Sequence, residues 1–158
     1  MYITMTTKNI LYFISQNNTI DMIYCNKANT SYPIHTHAQH FTIGIVINGE
    51  ILVQTNSDKF ICKADNIFTI PTDTPHSINP SNNCSYTMLV FCIQQDFLLN
   101  SNPETIEAIL KENLNQILHE NQNIDKYCTL IKNKLTMVIE NKLGQFPKNY
   151  YYELKLRT

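Results

Sequence analysis

Four of the chain's five histidines, His35, His37, His40 and His76, fall between Tyr32 and Pro80. Imidazole titrates near neutral pH and is a common ligand of Zn, Fe, Ni and Cu. On an extended strand, residues two apart share a face, so His35 and His37 would present both rings to one side with Cα atoms roughly 6.5 Å apart. His76 follows Thr74-Pro75, where a turn feeds a strand, and it joins the pair if the chain folds back antiparallel. Three imidazoles on one wall suit a metal centre with open coordination positions. The same three rings also suit a metal-free polar pocket, and both readings stand. Thr42 points into the same space by strand parity and offers a hydroxyl. His40 is either a further pocket group or a partly exposed residue at its mouth. Gly44 leaves space beside Thr42, or marks a bulge.

The elements that must position these residues read as short strands. Ile10 to Ile14 and Thr19 to Cys25, joined through Ser15-Gln-Asn-Asn18, predict a hairpin. His40 to Ile47 is apolar on both faces, with Phe41, Ile43, Ile45 and Ile47 on one and His40, Thr42, Gly44 and Val46 on the other, as in an interior strand. Asn48-Gly49 reads as a tight hairpin turn into Ile51 to Thr55, because both central positions of a type I′ turn need positive φ. Lys59 to Lys63, Ile67 to Ile70, His76 to Ile78 and Cys84 to Ile93 follow as strands, with Pro71 to Pro75 a rigid loop. Many short strands and no helical period predict an all-β sandwich or barrel.

After Asp96 the period changes. Asn102 is placed to cap a helix that has Pro103 at its first position and runs to about His119. A second helix is expected from about Ile124 to Leu143, stopped by Gly144 and Pro147, with Ile131, Leu135, Val138 and Ile139 on its apolar stripe. That stripe either covers an open edge of the strands or pairs with a second copy, and the second is the expectation.

With 158 residues, 43% of them hydrophobic and 16% charged, the chain has enough apolar material for one domain with a real core. Twelve basic against thirteen acidic side chains leave a net charge of -1 and no basic stripe, which argues against a DNA-binding surface on this chain. The longest apolar run, Met88 to Ile93, is too short to span a bilayer, and no leader pattern precedes it. A cytoplasmic protein without membrane contact is expected. The five cysteines, at 25, 62, 84, 92 and 128, have no CxxC spacing and read as reduced packing residues.

The two histidine runs resemble the cupin motifs. His35, His37 and Gly49 match the first motif, in which a Glu stands where this chain has Thr42. Ala64-Asp65, Pro71 and His76 fall where the second motif has its Gly, Pro and His, and Pro80 falls where an Asn often follows. HTHAQHFTIGIVINGE, then IPTDTPHSI, then helices, resembles the N-terminal sensor domain of AraC-type transcriptional regulators.

The resemblance implies a mainly β fold: a cupin barrel (double-stranded β-helix, or jelly roll) over residues 1–98, followed by a helical pair over 99–158 that serves dimerisation and linkage. It implies a small-molecule effector in the barrel at His35, His37, His40, Thr42 and His76, and a homodimer contact at Ile131, Leu135, Val138 and Ile139. DNA is then a partner only through an absent C-terminal helix-turn-helix half, and the ending YYYELKLRT reads as a boundary just before it. No catalytic residue and no cofactor are expected. Replacing the motif's Glu by Thr42 removes a charge that would help hold a dication, so a divalent transition metal on His35, His37 and His76 stays the lesser reading. The alternative is a stand-alone, metal-dependent cupin enzyme of the dioxygenase or isomerase type.

Overall fold

The computed structural model describes residues 2–7, 9–14, 19–117 and 126–133, and they fall into one unit up to Gln95 and another from Asp96. In chain order the first unit contains β1 (Tyr2–Thr7), β2 (Ile10–Ile14), β3 (Ile20–Ala28), β4 (Tyr32–His35), β5 (His40–Asn48), β6 (Glu50–Thr55), β7 (Lys59–Lys63), β8 (Ile67–Ile70), β9 (His76–Pro80) and β10 (Tyr86–Gln94). They form a six-stranded sheet in the order β1-β2-β3-β10-β5-β8 and a four-stranded sheet in the order β4-β9-β6-β7. From β3 onward the chain passes repeatedly between the two sheets, which is jelly-roll connectivity.

Apolar residues from one face of each sheet meet in a shared core. Val46, Phe68, Met88 and Val90 from the larger sheet pack with Ile51, Val53, Cys62 and Ile78 from the smaller. β5 and β10 are the central pair, and Phe41 to Val46 are all buried, as expected of an interior strand. Each fully buried aliphatic or aromatic side chain of this kind contributes about 1.5–3 kcal/mol.

The expected hairpin of Ile10 to Ile14 with Thr19 to Cys25 is present as β2–β3, with Ile10 opposite Cys25 and Phe13 opposite Met22. β1, which pairs with β2, has no counterpart among the expected strands. The Asn48-Gly49 step is not a hairpin. β5 pairs with β10 and β8 while β6 pairs with β7 and β9, so the step carries the chain from one sheet to the other. A type I′ turn needs positive φ at both central residues, and only Gly49 has it, at 79°. Glycine is required there twice over, because a Cβ would also lie 2.5 Å from the Ser85 carbonyl oxygen.

From Asp96 the second unit holds the rest of α1 (Gln95–Asn100), which the sequence pattern did not suggest, and α2 (Pro103–Ile117). Asn102 caps α2 as expected: its Oδ1 accepts from the Thr105 amide and the Thr105 hydroxyl, each at 2.8 Å. Ile106, Leu110 and Leu114 form a buried stripe. Residues 126–133 are helical within the expected second helix, and Lys132 Nζ lies 3.3 Å from Glu107 and 3.8 Å from Glu104. No described helix is long and apolar enough to cross a membrane.

Candidate ligand and metal site

Three elements converge on the candidate site. His35 ends β4, His76 begins β9, and the two are direct partners in the ladder between those strands. His37 lies just beyond β4, in the segment leading to a turn at 38–39, so strand periodicity is not what brings it to His35. The turn itself is braced from the Pro71–Pro75 loop. The Asp73 amide donates to the His37 carbonyl at 3.3 Å, and Asp73 Oδ1 accepts from the Gln39 amide at 3.2 Å. Asp73 takes a positive φ of 60° to do so, a conformation that Asp tolerates better than most residues. Sequence reasoning gave Asp73 no role; its placement in a Pro-Thr-Asp-Thr-Pro loop was the available signal.

The imidazole centroids of His35 and His76 are 4.3 Å apart, those of His35 and His37 4.9 Å, and those of His37 and His76 5.2 Å. One ring nitrogen from each lies within 4.8 Å of the others, a spacing that a single metal ion can bridge. Backbone carbonyls fix two of the tautomers. His35 Nδ1 donates to the Pro33 carbonyl at 2.6 Å and His76 Nδ1 to the Thr74 carbonyl at 2.8 Å, so in each ring Nε2 is the nitrogen left for a ligand.

Electrostatics keep His37 neutral. Burial, reinforced by the neighbouring His76, His35 and His40, lowers the pKa of His37 to about 4. Three imidazoles with available lone pairs fit a divalent transition metal, which would act as a Lewis acid when bound. No carboxylate joins them, since Thr42 is fully buried at the position in question and its hydroxyl lies 4.0 Å from the Cys92 thiol. Burial pushes that thiol up to about 12 and leaves it protonated.

Ile23, Tyr32, Thr42, Ile78, Met88 and Val90 complete the walls around the three histidines. The cavity they line is about 20 Å³, on a scale where one water needs roughly 10–15 Å³. His35, His37, Thr42 and His76 are thus brought together, while His40 is not part of the wall. Its Nδ1 instead meets the Ala38 carbonyl at 2.7 Å, and its strand position is opposite Gln94. Tyr32, absent from the expected site residues, lines the cavity and sets its hydroxyl 3.6 Å from the Cys25 thiol. Burial raises the pKa of the Tyr32 phenol far above its ordinary value and pushes the Cys25 thiol up to about 11. All five cysteines are free, and four of them are buried. Of the expected dimer residues, Ile131 is buried, and Leu135, Val138 and Ile139 lie outside the described residues.

Two antiparallel sheets closed over a histidine-lined cavity make this a cupin fold, similar to the cupin domain of Cnp3 from Schizosaccharomyces pombe (TM-score 0.50, 13% identity, 61% of this chain and 71% of that one). Two further solved structures with lower overlap are KdgF from Halomonas sp. (TM-score 0.45, 19% identity, 63% and 94% covered) and an RmlC-like cupin from Shewanella frigidimarina (TM-score 0.46, 17% identity, 61% and 87% covered). Within this fold class, the family model described as AraC-like ligand binding domain matches residues 18–131, and the chain belongs to that family. A comparison with curated proteins finds no match.

Proposed function

We propose that this chain is the effector-binding and dimerisation domain of an AraC-type transcriptional regulator, acting in the cytoplasm. The ligand-binding role follows from its family. The observation that supports the barrel as the sensing site is the convergence of His35, His37, His76 and Thr42 on one cavity. At about 20 Å³, that cavity takes an ion, a water or a single polar group of a larger effector. Occupancy then changes the balance between two arrangements of the helical segment, and the attached DNA-binding halves are respaced. The dimer contact assigned to Ile131, Leu135, Val138 and Ile139 belongs to the same proposal.

The test pairs two variants of the natural regulator in a reporter assay with sedimentation of the purified proteins. His76→Ala should abolish the response to the inducing condition and leave the dimer intact, whereas Leu135→Asp should yield monomers. A natural reading frame without a helix-turn-helix half, or monomers after His76→Ala, would overturn the reading.

A second reading is favoured by one specific feature, the grouping of three histidine nitrogens within 4.8 Å of one another. It is a metal-dependent cupin enzyme in which His35, His37 and His76 hold the ion. Among the cavity-lining residues there is no carboxylate to serve as a general base. Elemental analysis of a size-exclusion peak separates the two: a metal-free dimer that ignores added Fe and Zn removes the enzyme reading.

A further inference from the structure

A second compartment lies on the other side of His76. It is a groove of about 300 Å³ bounded by Ile34, Gln54, Thr55, Asn56, Pro75, His76 and Ser77, against about 20 Å³ for the histidine cavity. The larger volume is that of a small-molecule site. β9 runs between β4 and β6, with Ser77 opposite Gln54 in the ladder, so these polar side chains rise from adjacent strands onto one surface.

Ser77 is the most buried polar residue on β9 that lines the groove besides His76. It is only 8% exposed and lines the groove, and its hydroxyl has no hydrogen-bond partner among the described residues. The hydroxyl is not among the buried unsatisfied polar atoms, so it reaches the solvent in the groove and is open to a ligand. Gln54 and Asn56 are exposed and line the groove with side-chain amides that make no hydrogen bond to the described residues. Thr55, by contrast, is committed, its hydroxyl accepting from the Asp58 amide at 3.1 Å. Beside these groups stands Ile34, 74% exposed, one of two large hydrophobic side chains so exposed among the described residues.

We propose that this groove is a binding site for a neutral small molecule that bears hydroxyl or amide groups along one edge and an apolar face on the other. The polar edge is matched by Ser77, Gln54 and Asn56, each of which both donates and accepts. The apolar face is matched by Ile34 and Pro75. No ionisable group other than the His76 imidazole lines the groove, so a carboxylate or ammonium would be desolvated there without a charged partner. Through the shared wall of His76, a filled groove acts directly on one of the three cavity imidazoles. The inference rests on the reading of the domain as a sensor, and it places the body of an effector outside the barrel.

The test is a titration of the full-length 15N-labelled chain with two probe sets matched in size, neutral (erythritol, methyl β-xylopyranoside, 2-pyrrolidinone) and charged (threonate, xylonate, pyroglutamate). Neutral probes should shift the amide signals of Gln54, Asn56 and Ser77 and leave those of Thr42 and Val90 in place. The double variant Gln54→Ala/Asn56→Ala, both sites being exposed and tolerant, should weaken the tightest neutral probe about tenfold. Three outcomes each overturn the proposal: no neutral probe shifting these signals at about 10 mM, a weak-binding limit for fragments, charged probes binding as well, or shifts confined to Thr42 and Val90. The last would leave the barrel-sensing reading standing. Groove binding with no effect of His76→Ala on the regulator's response would instead count against that reading and spare the groove.

Discussion

His35 and His76 are partners across the β4–β9 ladder, with ring centroids 4.3 Å apart and each Nδ1 donating to the carbonyl two residues before it. One local device, repeated on two strands, therefore sets both tautomers and leaves Nε2 of each ring for a ligand. His37 is held differently, by a turn braced from Asp73. Two supports of different origin converge on one site.

Metal binding tests that convergence directly. On the second, metal-binding reading, Co(II) or Zn(II) added to the purified chain binds at about one ion per chain, and Co(II) gives the intense visible bands of low coordination number. His35→Ala, His37→Ala and His76→Ala should each weaken binding by at least about tenfold, and Asp73→Ala by less, since it only positions His37. Calorimetry of the four variants checks the order. Binding unchanged in the His37 variant would remove the three-imidazole site.

Acid should destabilise the barrel through His37. Its pKa is about 4 when folded against an ordinary 6.5, so between those values the unfolded chain binds more protons than the folded one. The contribution to stability is complete above pH 6.5 and is lost as pH falls toward 4. With allowance for the ring's partial exposure, about 1–2 kcal/mol is at stake. Urea unfolding at pH 7, 6, 5 and 4 should show the fall, and His37→Asn should flatten it.

Much of this arrangement was legible in the sequence, and the failures have physical causes. Alternation in His40 to Ile47 placed Thr42 and Val46 on the inner face because period two holds along a continuous strand. His35 and His37 were paired by the same rule although the strand stops at His35. Asn48-Gly49 misled because local turn chemistry does not record which sheet the next strand joins, a choice made by the non-local pairing of β6 with β9. The Tyr32 wall and the Asp73 brace are tertiary contacts, and no spacing rule announces them.

Thr42 should tolerate loss of its hydroxyl. Its Oγ1 lies 4.0 Å from the Cys92 thiol, at the edge of a sulfur hydrogen bond, within a fully buried setting. Thr42→Val keeps the shape and removes a weakly satisfied polar group, which is nearly neutral or slightly stabilising. Thermal unfolding should therefore change by no more than about 1 kcal/mol in either direction. If the effector uses this hydroxyl, the same variant loses the response while remaining folded, a separation that a purely structural residue would not give.

Gly44 should not tolerate even one added methyl group. The residue sits in the centre of β5 opposite Phe68 of β8 and Val90 of β10, and a Cβ built there falls on the Phe68 ring. Phe68 is completely buried and clusters with Val46, Met88 and Val90, so a shift of the ring disturbs that packing. The absence of a side chain at Gly44 and the presence of a large one at Phe68 are two halves of one packing solution. Gly44→Ala should therefore cost about 1–3 kcal/mol by overpacking, despite the gain that alanine normally brings in a strand. Adding Phe68→Leu should recover part of that loss, because the smaller side chain vacates the space that the new methyl group needs. Urea denaturation of the two single variants and the double variant forms the cycle that checks it. Additive losses would show that the ring and the glycine are not in contact.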